Sequence, residues 1–457
     1  MIANNSRIRN ILINVISSEH YQYFWKSSFT VLAAILLGKA TSLIWKVVLA
    51  RLGPESLGFT QFILNILTLT SGFALLGLPA TLTRFVAIAH SKHNATQVTA
   101  LFYFVLRVTA VTSLFAVSIF VMILLLFSDE LSMQLLKDPQ NTIILVGIPF
   151  LVFTEVISSY LNGVRRVTSY SVLKYLLPPL LRLSLLGLLL LFGFQNNSLL
   201  TQHILLSTII ASLGGLMLSH FSWNKVKTKL KPVLQRELIK YSVPVSGSFL
   251  LFIAFGSLDT LLINKYIGIT AVGLYSVLLL LSEITDIFFL SFINLIQPYL
   301  GSLFDQKRKG GRFVILTCLF LVVGGVAISL PIYIFRDFIL DTLFGSEYAV
   351  VGSFVAFILL QKVLESALVM PLRHFLDFYG YVKETFSLML LMLIIKVGLS
   401  WYLISHYGFY GAMISQVIIQ VIHAAACVGL ITVIFKRQLY TSIMKSSVVS
   451  RLLHKLT

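Results

Sequence analysis

Charge is scarce in this sequence. Asp, Glu, Lys and Arg make up 11% of its 457 residues, against about 25% in an ordinary soluble domain. Acids are the scarcer sign, 17 against 35 Lys and Arg. A chain this poor in polar groups and 57% hydrophobic cannot cover its own surface for water, which excludes a soluble globule. The two cysteines, Cys318 and Cys427, both lie inside apolar runs. They exclude a disulfide framework and a thiolate metal site of standard spacing. The nine histidines show no ligand spacing either, so no metal and no catalytic constellation is expected. A phosphate-binding loop of the Gly-x-x-x-x-Gly-Lys-Ser/Thr type is missing, which argues against ATP as the direct driver, and no other cofactor is implied. Long polar segments are missing as well. The longest outside connector, 128–141, is short for a membrane-embedded polysaccharide polymerase or acyltransferase, which disfavours an enzyme.

What the sequence has is long apolar runs from end to end. Each reaches the roughly 20 residues that a spanning helix needs. Only helices or closed barrels satisfy the backbone inside lipid, and barrel strands alternate apolar and polar residues. Runs such as 175–192 are apolar on every face, so an all-α integral membrane protein is expected. The spans fall near 24–50, 56–78, 97–127, 142–163, 168–193, 198–221, 241–263, 271–300, 312–335, 349–371, 381–405 and 409–435. No cleavage site precedes the first of them, so no removable signal peptide is expected.

The basic residues sort by side. With the N-terminus inside, 24 of the 35 Lys and Arg fall in cytoplasmic segments, four (Arg51, Lys137, Lys265 and Arg336) fall outside, and seven lie within spans. This is the positive-inside pattern. It places both termini in the cytoplasm and requires an even number of spans. It also accounts for the net charge of +18 with no need of nucleic acid, since anionic lipid at the inner leaflet attracts such charges.

One long polar connector, 223–240, splits the spans six and six. The expected organisation is a cytoplasmic segment 1–23, a first lobe 24–222, the basic connector 223–240, a second lobe 241–437 and a basic tail 438–457. An even number of spans per half makes the halves parallel repeats. Traces of the repeat survive at one spacing: Gly53 and Gly58 match Gly268 and Gly273 at 215 residues, and Phe192-Gly193 matches Tyr407-Gly408 at 215. Gly163 and Gly380, each after a span, and Arg182 and Lys396, both mid-span, lie at nearly the same spacing.

Two strings carry a family resemblance in the first half: Val48-Leu-Ala-Arg-Leu-Gly-Pro-Glu-Ser-Leu-Gly-Phe-Thr-Gln-Phe, and Leu76-Gly-Leu-Pro-Ala-Thr-Leu-Thr-Arg84-Phe. In the second half they are Tyr241-Ser-Val-Pro-Val, Asp259-Thr-Leu-Leu-Ile-Asn-Lys265-Tyr-Ile-Gly268 and Val272-Gly-Leu-Tyr-Ser. Over roughly 24–437 the chain resembles polysaccharide-export flippases of the O-antigen flippase type. These belong to the multidrug/oligosaccharidyl-lipid/polysaccharide (MOP) exporter superfamily, which also holds multidrug cation exporters and peptidoglycan-precursor flippases. The peptidoglycan-precursor branch usually carries two further helices that this chain lacks. The resemblance implies a MATE-like, V-shaped fold of about twelve helices in two six-helix lobes. It implies alternating-access transport of a polyprenyl-diphosphate-linked oligosaccharide, an O-antigen or exopolysaccharide repeat unit, across the cytoplasmic membrane, with polysaccharide polymerase machinery as a candidate partner.

A charge at mid-bilayer costs about 2.5–3.5 kcal/mol on insertion scales, so charged residues within spans are the candidate site. Lys39, Lys46, Arg107, Arg182 and Lys396 are the candidate cationic cavity for a diphosphate, and the family resemblance adds Arg84 at the inner end of the second span. Lys39 and Lys46, seven apart, share a helix face, and Arg182 and Lys396 occupy matching places in the two halves. The bland alternative pairs Lys39 with an acid of another helix and Arg182 and Lys396 each with an acid of its own lobe, such as Glu155 for Arg182; Lys46 could instead snorkel outward, and Arg84 be one more inside-loop charge. Glu283 and Asp286, three apart, are candidates for coupling to H+ or Na+, because close carboxylates favour holding a proton; their alternative partners are Lys39 or Lys396. Asp259 is a candidate for coupling, or for a pair with Lys265. Lys362 and Glu365 can pair along their helix. Pro178-Pro179 should interrupt the fifth span.

Overall fold

The computed structural model describes residues 19–127, 142–193, 197–219, 230–302 and 307–445. Most of the N-terminal segment, the connector 128–141 expected outside, the first part of the polar connector and the end of the basic tail lie outside the described residues.

The described chain is all helix. In the first part run α1 (Glu19–Ala50), α2 (Pro54–Leu75), α3 (Leu78–Ser91) and α4 (Ala95–Phe127). A 3-10 turn (Ile143–Val146) leads into α5 (Gly147–Gly163). Then come α6 (Val167–Ser171), a π-helical turn (Val172–Leu176), α7 (Leu177–Leu191) and α8 (Asn197–Ser219). The second part holds α9 (Pro232–Tyr266), α10 (Ile269–Ser302), α11 (Lys307–Ile334) and the short α12 (Arg336–Ile339). A π turn (Leu340–Phe344) and a 3-10 segment (Ser346–Phe354) precede α13 (Val355–Val363), a further π turn (Leu364–Val369) and α14 (Met370–Phe378). The last helix, α15 (Val382–Lys445), breaks at Gly408, φ 57° and ψ −133°.

Eleven of the described helical stretches are long and apolar enough to cross a bilayer. The final one, Val382–Ile434, has 53 residues; at 1.5 Å per residue it would run about 80 Å, against about 30 Å of hydrocarbon. Its break at Gly408 makes it two crossings, and twelve spans result. The expected spans hold with two differences. The second one was expected to end at residue 78; instead the chain breaks at Leu76 and Gly77, both left-handed, and α3 fills what was expected to be a cytoplasmic loop. Helix α3 starts with Pro79 in its first turn and carries Thr81, Thr83, Arg84 and His90 among its apolar residues, so mean hydropathy hides it. In the second half, α9 begins at Pro232, inside the connector expected over 223–240.

The repeat is visible in backbone geometry. Gly53 and Gly268 have φ of 112° and 121°, and Gly193 and Gly408 have 75° and 57°. Each pair ends one span and admits the next through a conformation that side chains resist. The third glycine pair differs: Gly380 has positive φ, while Gly163 stays helical and Arg165 two residues on takes the left-handed turn, φ 61°.

The chain separates into two compact units, residues 1–257 and 258–457, with the division inside α9. In the first, α5 is the central element, packed against α2, α3, α4 and α8. Val152, Val156 and Ile157 of α5, Phe62 and Ile66 of α2, and Leu101 and Val105 of α4 are all 1% exposed or less. In the second unit α10, α11, α13, α14 and α15 pack together. Its core joins Ile296, Leu300, Val314, Leu372 and Phe375 with both free cysteines, Cys318 and Cys427.

Candidate functional site

The fifth crossing explains how the first unit places its central cation. Pro178 and Pro179 have no N–H to return to the carbonyls one turn earlier, and the chain absorbs them in the π turn Val172–Leu176. Pro179 thus leaves the Tyr175 carbonyl without its helical donor. That carbonyl lies directly against Gly38 of α1, where any Cβ would collide with it. The absent side chain lets α1 and α7 close on each other. Seven residues along the same face from Gly38 stands Trp45, 1% exposed. Arg182 of α7 lays its guanidinium over the Trp45 ring, 5.6 Å from Cζ to the centroid. Trp45 Nε1 in turn donates to His203 Nε2 of α8 at 3.3 Å.

Arg182 Nε is buried and makes no hydrogen bond, and no acid forms an ion pair with Arg182 among the described residues. The sequence offered Glu155 as its neutralising partner. Instead Glu155 Oε1 accepts from Lys174 Nζ at 2.5 Å. An aromatic face attracts a guanidinium by about 0.5–2 kcal/mol, less than the several kcal/mol that desolvating a charge costs. Arg182 is therefore a half-buried cation, its Nε enclosed, whose charge no carboxylate among the described residues balances.

The matching cation of the second unit is the opposite case. Lys396 Nζ stands 2.6 Å from Asp259 Oδ2, with the two side chains 3% and 1% exposed. Ser400 Oγ donates to Asp259 Oδ1 at 3.2 Å. The structure thus gives Asp259 to Lys396 and not to Lys265, and Lys396 is enclosed in protein. A second pair joins α13 to α10: Lys362 Nζ lies 2.7 Å from Asp286 and 3.8 Å from Glu365. The partner within Lys362's own helical stretch is the weaker contact. Glu283, one turn before Asp286, adds its field to the same ammonium. Three carboxylates surround one cation.

The remaining sequence candidates lie on α1, α3 and α4. Lys39 and Lys46 follow Gly38 and Trp45 by one residue each, about 100° round the helix, and are half-buried beside the α1–α7 contact. Arg107 is on a stripe of α4 with exposed Val111 and Leu114. Arg84 is exposed on α3 and stacks over Tyr241, 4.4 Å from Cζ to the centroid.

Sequence reasoning missed a cavity of about 410 Å³ in the first unit, lined by Gly77, Pro79, Thr83, Glu155, Ser159, Asn162, Tyr170, Lys174, Val245 and Phe249. Thr83 Oγ1 donates to the Ser159 carbonyl at 3.0 Å, tying α3 to α5, and the Tyr170 and Tyr175 hydroxyls meet at 3.2 Å. A signal for it was available. Residues 155 and 174 are equidistant from the turn at 164–165, and in an antiparallel helical hairpin such residues face each other. Among the described residues no set of three His, Cys, Asp or Glu side chains is arranged to hold a metal ion.

A family profile described as polysaccharide biosynthesis protein matches residues 24–304, more than half of the chain. Comparison with curated proteins finds no significant match. Solved structures share the fold. An inward-facing multidrug resistance MATE family transporter of the MOP superfamily superposes with a TM-score of 0.70 at 16% identity, covering 92% of this chain and 99% of that one. An outward-facing conformation of a multidrug resistance MATE family transporter gives 0.60 at 16%, covering 92% and 97%. A MOP superfamily transporter from Pyrococcus furiosus, for which reverse polarity of the binding pocket is said to suggest a different function, gives 0.56 at 16%, covering 90% and 95%. At these identities the likeness is one of fold.

Proposed function

Since this chain belongs to the polysaccharide biosynthesis protein family, as a multi-pass transporter of the MOP superfamily and not an enzyme, we propose that it is a flippase for a polyprenyl-diphosphate-linked oligosaccharide. Its two lobes, 24–222 and 241–437, would expose a head-group site alternately to the two sides of the cytoplasmic membrane. The observation that carries this reading is Arg182. A guanidinium held in a membrane span over Trp45, with no carboxylate paired to it among the described residues, suits an anionic ligand that arrives and leaves. A diphosphate supplies that charge, while the polyprenyl chain stays in lipid. The half-buried Lys39 and Lys46 extend the positive field along α1, and Arg84 and Arg107 are candidates for drawing the head group in.

The same residue argues against a multidrug cation exporter, because a cationic substrate would be repelled by Arg182. A peptidoglycan-precursor flippase shares the diphosphate and remains the nearer alternative. Direction would come from an ion gradient or the membrane potential, about 2.3 kcal/mol per charge per 100 mV. The group of Glu283, Asp286 and Glu365 round Lys362, with more acid than base, is the candidate place for H+ or Na+, and Asp259 the second candidate. The distribution of basic residues supports cytoplasmic termini, and polysaccharide polymerase machinery is a candidate partner.

Reconstitution into liposomes with a fluorescent polyprenyl-diphosphate oligosaccharide tests the reading. Wild-type protein should expose inner-leaflet probe to an external quencher, and a lipophilic cationic dye should not be moved. Export of the dye with no exchange of the glycan lipid would transfer the chain to the drug-exporter reading.

A further inference from the structure

The cavity beside the Lys174–Glu155 pair is separate chemistry from Arg182. Its wall carries hydrogen-bonding capacity that the protein leaves unused. Glu155 spends one carboxylate oxygen on Lys174, and its other oxygen accepts nothing among the described residues. The Asn162 carboxamide and the Ser159 hydroxyl make no side-chain hydrogen bond there either. Lys174 has N–H groups to spare beyond the one directed at Glu155. Donors and acceptors therefore alternate round the wall, and the ammonium and carboxylate cancel in charge. Tyr170 and the exposed Phe249 add aromatic surface.

Charge balance selects the ligand. A phosphate would meet the Glu155 carboxylate, and a cation would meet Lys174. A neutral polyol with adjacent hydroxyls meets neither objection: its hydroxyls donate to Glu155 and Asn162 and accept from Lys174, while a pyranose C–H face packs on an aromatic ring. The volume, about 410 Å³, lies within the range of roughly 300–1,000 Å³ typical of small-molecule sites. The cavity lies at the helix ends that carry Arg84, Arg165 and Arg166, the cytoplasmic ends on the distribution of basic residues. We infer that this cavity is a subsite for a neutral sugar ring of the lipid-linked glycan, separate from the Arg182 contact to the diphosphate. The inference rests on the flippase reading and adds the part of the head group that this site recognises.

Binding measured in lipid nanodiscs tests it with two probes: a citronellyl diphosphate carrying N-acetylglucosamine, and citronellyl diphosphate without sugar. Wild type should bind the sugar-bearing probe about tenfold more tightly, the affinity carried by one or two hydrogen bonds. Asn162→Ala and Glu155→Gln should remove that advantage and leave the sugar-free probe within about twofold. Asn162→Ala deletes no protein hydrogen bond of the side chain, so it decides the matter even where Glu155→Gln fails to fold. Equal wild-type affinity for both probes, or a loss in Asn162→Ala that falls on both alike, overturns the sugar subsite alone. Binding of neither probe by wild type overturns the flippase reading, and the subsite with it.

Discussion

Lys396 and Asp259 form an ion pair of 2.6 Å in the interior of the second unit, at the position where the first unit holds Arg182 with no acid paired to it among the described residues. The two halves descend from one pattern, as the left-handed glycines Gly53 and Gly268 indicate. Their central cations nevertheless differ in charge balance. Symmetry of sequence position does not carry symmetry of electrostatic role, because a partner on another helix decides that role.

A buried pair is costly to break from one side. Lys396→Met leaves Asp259 ionised and enclosed, so unfolding stability should fall by on the order of 3–5 kcal/mol. The double variant Lys396→Met with Asp259→Leu should recover most of it, since a well-packed apolar replacement of both partners is near neutral. Thermal unfolding of the four proteins in detergent measures the cycle. Equal losses in the single and double variants would contradict the pairing.

The contact of α1 with the fifth crossing depends on one missing methyl group. Gly38→Ala puts a Cβ into the Tyr175 carbonyl, which forces the helices apart and should lower the yield of folded protein sharply. Gly187→Ala and Gly398→Ala meet no atom within 4 Å and serve as controls. Both should match or slightly exceed wild type, because alanine is the better helix former. Size-exclusion chromatography of fluorescent fusions ranks the three.

The basic residues predict which side of the membrane each connector faces. Cysteine placed at Lys92 should react with an impermeant maleimide only from the cytoplasmic side, and cysteine at Arg51 only from outside. The native thiols give little background, being 7% exposed at Cys318 and buried at Cys427. Labelling of both positions from one side would contradict the crossing between them.

The acid-rich group round Lys362 yields a separate expectation. Glu283→Gln and Glu365→Gln leave Lys362 neutralised by Asp286 at 2.7 Å, so both variants should fold. Each should lose acceleration of exchange by an imposed proton or sodium gradient while retaining gradient-free exchange. Proteoliposomes with and without the gradient make the comparison, and full gradient response in both variants removes the assignment.

Most of the fold was legible because lipid allows so few solutions. Span number and order follow from apolar length, while the side of each connector is an expectation from where Lys and Arg fall. Helix α3 was not legible: its polar positions lower the mean hydropathy of a segment that is nonetheless packed on α4 and α5. The buried charges were legible as candidates, since Arg182 and Lys396 stand alone in apolar runs. Their partners were not, because Asp259 and Lys396 are 137 residues apart and meet only through tertiary packing. Glu155 and Lys174 are the exception, being joined by a single hairpin.

Arg182 offers the most direct test. Removing a half-buried charge that no acid among the described residues balances costs the fold little, so Arg182→Met should unfold at or above the wild-type temperature, the opposite of Lys396→Met. The same protein in liposomes should lose leaflet exchange of the fluorescent polyprenyl-diphosphate oligosaccharide. Such a split between stability and transport marks a residue kept for its ligand. Wild-type exchange by a stable Arg182→Met protein would contradict the account.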